Sequence, residues 1–183
     1  DAARAKIDLE NVYLWRRTPR RLEAEIIRDA MLATSGALDR TQFGPGTLDE
    51  GQRRRSIYFM VKRSRLISLM QLFDQPEPLV SVGGRPTTTI APQALAIMNN
   101  PHIRGYAMNF AKRWTLPEEE SQRDAAIRAA VAQGYVTAVG REPTTEETAD
   151  AAAFITAQWE SYRAAKKDNA AQLAMADFCQ VLF

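Results

Sequence analysis

The sequence predicts a mainly α fold: an irregular helical bundle of about six helices, with one long ordered loop and at most one short extended segment. Three observations lead there. Apolar residues recur at i, i+3, i+4 and i+7 through most of the chain, only one window (RSIYFMVKR) has the β-branched and aromatic content of a strand, and no segment repeats another. The core material is sufficient, since the 183 residues are 45% apolar and folding at that length buries about 70% of the surface of the unfolded chain.

The first helix signal is Thr18 as N-cap with Pro19 at the first helical position, opening RRLEAEIIRDAMLATSG. Leu22, Ile26, Ala30 and Ala33 share one face, and Gly36 stops the helix. Upstream, Leu9, Val12, Tyr13 and Trp15 make LENVYLW a lead-in expected to pack on that helix. Residues 41–52 are rich in glycine and polar groups without a period and read as an exposed loop, after which RSIYFMVKR reads as extended. Leu66, Leu69, Met70 and Phe73 make residues 65–73 a short amphipathic helix.

Residues 74–90 hold three prolines and the Gly83–Gly84 pair, which precludes a helix through most of that length and makes this the long loop. Pro92 opens the next helix. Asn100 and Pro101 end it and start another, whose Ile103, Tyr106, Ala107, Phe110, Ala111 and Trp114 form the strongest stripe in the chain. Ser121 and Asp124 resemble a capping box ahead of Ile127, Ala130, Val131, Gly134, Tyr135 and Ala138, and Gly134 on that buried face admits a neighbouring backbone. Gly140 ends this helix. Thr144 and Glu147 form a further box, with Ala151, Phe154, Ile155 and Tyr162 in phase behind it. Asp168 or Asn169 caps a last helix that stays apolar to Phe183, so residues 1–183 read as a single helical domain excised from a larger multidomain chain.

The net charge of +2 conceals an asymmetry. Residues 1–116 carry 18 basic against 11 acidic side chains, whereas residues 117–183 carry 6 against 11. The halves are therefore expected to match each other, arginine-rich helices on acidic ones. Arginine supplies 19 of the 24 basic residues, which suits forked pairing with carboxylates. The only tight basic run, Arg53–Arg55, has no aromatic-rich strand of RNA-binding type and no recognition helix beside it, so nucleic acid is not an expected partner. No apolar run reaches the ~18 residues of a membrane span. One histidine, His102, and one cysteine, Cys179, cannot build a Cys/His zinc cluster or a CxxCH haem attachment, so no metal and no cofactor are expected in this chain.

Two places could carry chemistry. Asp177 falls on the apolar face of the last helix and needs a partner, expected to be Arg20, Arg21 or an arginine of 53–55. The 74–93 segment brings Asp74, Ser81, Arg85, Thr87, Thr88, Thr89 and Gln93 next to a helix N-terminus, a constellation suited to an anion such as sulfate or carboxylate. Arg85, after two glycines, is expected to aim its guanidinium at that terminus; alternatively, the loop hydroxyls simply cap the Pro92 helix.

The ordered blocks LENVYLWRR, RRLEAEIIRDAMLATSGALD, RRSIYFMVKR, LFDQPEPLVSVGGRPTTTIAPQALAIMNNP, GREPTTEE and MADFCQVLF resemble one family over nearly the whole chain. It is the carboxy-terminal domain of unknown function of exported planctomycete and verrucomicrobial multidomain proteins, which follows a planctomycete-type cytochrome c domain and a second uncharacterised domain. Val82 stands where that family commonly has a cysteine, and Met175 where it commonly has a tryptophan; the first departure argues against an obligatory catalytic thiol. The resemblance implies a periplasmic or cell-surface location, haem only on a neighbouring domain, and a family whose final block continues beyond Phe183. It implies no reaction. The expected function is a non-catalytic module working by packing against sister domains of the same polypeptide or a partner; the alternative is an enzyme or binding module for anionic (sulfated) polysaccharide with its site at the 74–93 loop.

Overall fold

A computed structural model describes residues 2–183, apart from the side chain of Glu120. Among them are eight α-helices: α1 (Ala2–Ile7), α2 (Ala24–Ser35), α3 (Ser68–Leu72), α4 (Ala91–Asn99), α5 (Pro101–Ala111), α6 (Glu120–Val139), α7 (Thr145–Ala164) and α8 (Ala170–Val181). No β-strand occurs among the described residues; three isolated bridges, Asp39 with Arg54, Thr47 with Phe59 and Lys62 with Arg65, are the only pairings of that kind. The protein is mainly α, as its periodicity predicts. The window read as extended begins instead with a 3-10 turn at Ser56–Tyr58.

The larger core lies among α5, α6, α7 and α8, with α8 packed on both α7 and α5 and α6 packed on α7. Its centre is Phe110, Ile127, Val131, Ile155, Met175 and Phe178, all buried. Gly134 sits where a Cβ would come within 3.1 Å of Phe178 Cε1 and 3.2 Å of Leu182 Cδ1. The side chains of Phe178 in α8 and of its C-cap Leu182, and not a neighbouring backbone, therefore use the space that glycine leaves. The expected stripe on α5 is buried from Ile103 to Ala111, and Trp114, just past the helix, meets Phe110 edge-on at 5.1 Å. Asn100 accepts from the backbone N–H of His102 at 2.8 Å and of Ile103 at 3.4 Å, and Thr144 with Glu147 forms the capping box that opens α7. At α6 the cap is Glu119, so Ser121 lies inside the helix and its box does not form.

A second, smaller core joins α2, α3, α4 and the N-terminal half of α5 through Met31, Leu32, Ile103 and Tyr106, with Ala24, Ile67, Met70 and Phe73 beside it. Here the sequence reading of α2 is corrected twice. The helix starts at Ala24, not behind Thr18–Pro19, because the Arg21 side chain is tied to Asp74 and to the carbonyl of Thr88 ahead of an extended N-cap, Glu23. The buried face is Ala24, Arg28, Met31, Leu32 and Ser35, whereas Leu22, Ile26, Ala30 and Ala33 face outward. LENVYLW does not pack on α2 either: Leu9, Val12, Tyr13 and Leu14 are exposed.

Arg28 is the largest of the fully buried side chains, at 2% exposure. Its guanidinium donates to the carbonyl of Arg54 at 3.0 Å, to Ser56 Oγ at 3.2 Å and to the carbonyl of Gln52, and it stands 4.6 Å from the centre of the Phe59 ring. Asp29 lies 3.6 Å from it and accepts from both the backbone N–H and the hydroxyl of Ser56 at 2.7 Å. Burial pushes the guanidinium pKa down. The charge is nevertheless held, because forked donors to fixed carbonyls replace the water it loses.

The expected match between a basic half and an acidic half is also corrected. Arg21 pairs with Asp74, Arg85 with Glu23 and Glu25, Arg128 with Asp124 and Arg141 with Glu147, each within its own half. Among the described residues the pair that crosses is Arg104 with Asp177 at 2.7 Å.

Arg28→Met is expected to destabilise the fold by about 3 kcal/mol in chemical denaturation, because it leaves buried carbonyls without donors; Arg28→Lys, with no fork, is expected to recover less than half. Gly134→Val is expected to cost about 1–3 kcal/mol by overpacking against Phe178 and Leu182.

Candidate functional site

The 74–93 loop is built around Asp74, which occupies the left-handed region at φ 63° immediately after α3. Aspartate tolerates that conformation better than most residues. The turn directs its carboxylate back across the loop, where it accepts from Thr88 N–H at 2.8 Å, from Thr88 Oγ1 at 2.8 Å and from Arg21. The Thr88 N–H, its hydroxyl and Arg21 together hold the Asp74 carboxyl below its ordinary value. Gln93 is buried at 6% exposure. Its Oε1 accepts from the N–H of Ile90 at 3.3 Å, and its Nε2 donates to the carbonyls of Leu72 at 2.9 Å and Thr88 at 3.2 Å.

Arg85 does not aim at α4. Its two terminal nitrogens reach Glu25 at 2.7 and 2.8 Å in a forked pair, with Glu23 3.5 Å away. The reason is geometric: the N-terminus of α2 lies within reach of Arg85 and offers Glu25 and the N-cap Glu23, two carboxylates that outcompete a bare helix dipole for a guanidinium. That pair lowers the Glu25 pKa and raises that of Arg85. Ser81, Thr87 and Thr89 are exposed. The tip around Gly83 and Gly84 has no neighbour within 4 Å of where a Cβ would sit. Of the seven residues read as one site, the structure ties Asp74, Thr88 and Gln93 to one another, sends Arg85 to Glu25 of α2 and leaves Ser81 and Thr89 exposed, while Asp74, Arg85 and the exposed Thr87 line a cleft against residues 17–26.

Asp177 is half-buried but its partner is Arg104 of α5, not Arg20, Arg21 or an arginine of 53–55. α8 packs on α5 and α7, while Arg21 is spent at Asp74, near the far end of α2. The Tyr162 hydroxyl, raised in pKa by burial and by its bond to Asp177, completes that cluster. Next to it, Gln180 donates to the carbonyls of Ile97 and Met98 at 3.0 and 2.8 Å, so this polar edge of α8 joins the two cores. Cys179 is fully buried, and burial pushes its thiol up to about 12, far from a reactive thiolate.

Two features were not visible to sequence reasoning. The first is the wall that residues 17–26 contribute to a cleft of about 680 Å³, whose other wall is the 73–87 segment with Asp74, Arg85 and Thr87, so that Arg17, Arg20, Arg21 and Arg85 share one space. The RRTPRR stretch, four arginines without an acid, is the signal that could have located it. The second is the N-terminal hook, residues 2–17. Asp8 is buried and accepts from the backbone N–H groups of Val12 and Tyr13, both at 2.8 Å, while Asn11 exchanges bonds with the backbone of Arg16. The polar residues are inside and Ile7, Leu9, Val12, Tyr13 and Leu14 are outside, each more than two-thirds exposed. No three His, Cys, Asp or Glu side chains gather to hold a metal ion among the described residues, and no helix there is long and apolar enough to cross a membrane.

Since the Asp74 pKa is lowered on folding, its contribution to stability is complete above the ordinary carboxyl value of 3.8 and is lost as pH falls through the depressed one. Asp74→Asn is therefore expected to melt about 2–4 °C lower at neutral pH, and to lose less stability than the wild type when thermal melts are repeated on acidification below that value.

No curated protein matches this chain, and no solved structure does. The profile of one family, described as PSD1, protein of unknown function (DUF1553), matches residues 1–155. That span contains the hook, the cleft, the 74–93 loop and the helices through most of α7. The chain belongs to the PSD1 family of proteins of unknown function (DUF1553).

Proposed function

We propose that this chain is a non-catalytic helical module of an exported, cytochrome-linked multidomain protein, located in the periplasm or at the cell surface, which acts by packing against sister domains of the same polypeptide. In this reading haem resides on a neighbouring domain and none is held here. The observation that carries it is the hook. Five large apolar side chains are turned to solvent on a backbone that Asp8 and Asn11 lock in place, and Leu14 is 82% exposed. Leu14 adopts φ 53°, a conformation that costs a non-glycine residue about 1–2 kcal/mol. A segment that spends conformational energy to display an apolar ridge suits docking on another surface. Leu79, Val80 and Val82 at the loop tip are exposed as well and suit the same role.

The other reading, an enzyme or binding module for anionic (sulfated) polysaccharide centred on the 74–93 loop, draws less support. Asp74, Thr88, Arg85 and Gln93 use their polar groups within the protein, so little of that constellation is left for a substrate.

The packing role is tested by comparing amide hydrogen exchange of residues 7–15 in this chain alone and in its parent polypeptide. Strong protection only in the parent is expected, together with its loss in a Val12→Asp/Leu14→Asp variant whose melting temperature as an isolated chain is unchanged. Equal exchange in the two contexts would overturn the proposal.

A further inference from the structure

The cleft beside the 74–93 loop carries an excess of arginine over acid that the rest of the fold corrects only in part, through Glu25 on Arg85. Its walls hold four arginines and two acids, Glu23 and Asp74. Asp74 is taken by Arg21 and Thr88, and Glu23 lies 3.5 Å from Arg85, which is itself forked onto Glu25. Arg17 and Arg20 are both exposed, and neither acid on the wall is left to them. The Arg21 charge is met by Asp74, but its Nε is buried without an acceptor. The N-terminus of α2, which no side chain caps, adjoins the same space and contributes the positive end of its dipole.

The apolar part of the wall is equally incomplete. Leu22 and Ile26, at 49% and 46% exposure, face the cleft where the sequence pattern would have them in a core, and Phe73 and Pro86 stand across from them. A volume of about 680 Å³ lies in the size range of small-molecule sites, roughly 300–1,000 Å³. Water or a free inorganic ion satisfies only half of such a surface: it neutralises the cations and leaves the aliphatic platform wet. A neutral apolar molecule covers the platform and leaves the cations unmet.

We infer that this cleft binds a small organic anion, whose oxyanion group is met by Arg17 and Arg20 and whose carbon body lies on Leu22, Ile26 and Pro86. Carboxylate, sulfate ester and phosphate monoester share the oxygen geometry that a guanidinium fork accepts. The site shares Arg17, the last residue of the hook, but none of the apolar ridge, which ends at Leu14, so it stands or falls separately from the packing role. It also moves the point of anion contact away from Arg85, whose fork is engaged by Glu25 and which acts here as the fixed rear wall of the cleft.

The test is a calorimetric titration of the protein with benzoate, phenyl sulfate and phenyl phosphate at low ionic strength, beside phenol and inorganic phosphate. At least one of the three aromatic anions is expected to bind ten times or more tightly than both controls, and the ranking among them identifies the head group. Arg17→Ala/Arg20→Ala is expected to weaken that binding at least tenfold with an unchanged melting temperature, because neither side chain holds the fold together; Arg17→Gln/Arg20→Gln serves if the alanine variant is unstable. In a parallel NMR titration, amide shifts are expected within residues 17–26 and at Arg85 and Thr87. Absence of binding by all three anions, binding untouched by the double variant, or shifts confined to another surface would overturn the inference.

Discussion

A single buried guanidinium sets the terms for the N-terminal half of this protein. Residues 39–60 form no sheet and only one 3-10 turn, so their backbone lacks the ladder that normally fixes a chain. Arg28 takes the place of that ladder. From the buried face of α2 it binds the carbonyls of Gln52 and Arg54 and the hydroxyl of Ser56, while its neighbour Asp29 binds the opposite polarity at Ser56. Adjacent residues of one helix thus read donors and acceptors of one turn. Arg54 repeats the device on a smaller scale, lying 3.5 Å over the Tyr58 ring and donating to the carbonyl of Phe43 at 2.6 Å. The preference for arginine over lysine in this sequence follows from such uses: a planar fork can satisfy several carbonyls and stack on a ring at once, and an ammonium cannot.

The parts of the fold that could be read from the sequence are those where local and tertiary preferences agree. Asn100–Pro101, Thr144 with Glu147, and Gly140 mark helix ends by chemistry internal to a few residues, and nothing distant opposes them. Thr18–Pro19 is an equally good local signal and fails, because Arg21 finds Asp74 and the Thr88 carbonyl some fifty or more residues away, and those bonds hold it on the loop ahead of the helix. The face of α2 was misread for a related reason. Hydrophobic phase selects Leu22 and Ile26, but the helix turns a charged residue inward, and no periodicity of apolar residues announces a buried arginine.

The candidate site was legible as a neighbourhood and illegible in its polarity. Asp74, Thr88 and Gln93 do converge, as a loop dense in hydroxyl and carboxyl groups before a helix suggests, yet they face one another. Whether a polar group bonds its own chain or faces a ligand depends on which helix passes behind the loop, and that is a property of packing. Asp177 teaches the same lesson: its need for a cation was readable from its place among Ala174, Phe178 and Val181, whereas the identity of Arg104 follows only from α8 lying on α5.

The central position of α8 has a consequence in time. During synthesis α5, α6 and α7 emerge before the helix on which α5 and α7 both pack, and some eighty residues separate Pro101 from Val181. At translation speeds of about 5–20 residues per second, α5 waits on the order of 4–16 s before its apolar stripe finds its cover. Over that interval Ala107, Phe110 and the inner face of α7 are open to any binding factor that recognises exposed apolar chain. The larger core closes only once α8 has been made, because α5 and α7 both pack on that helix.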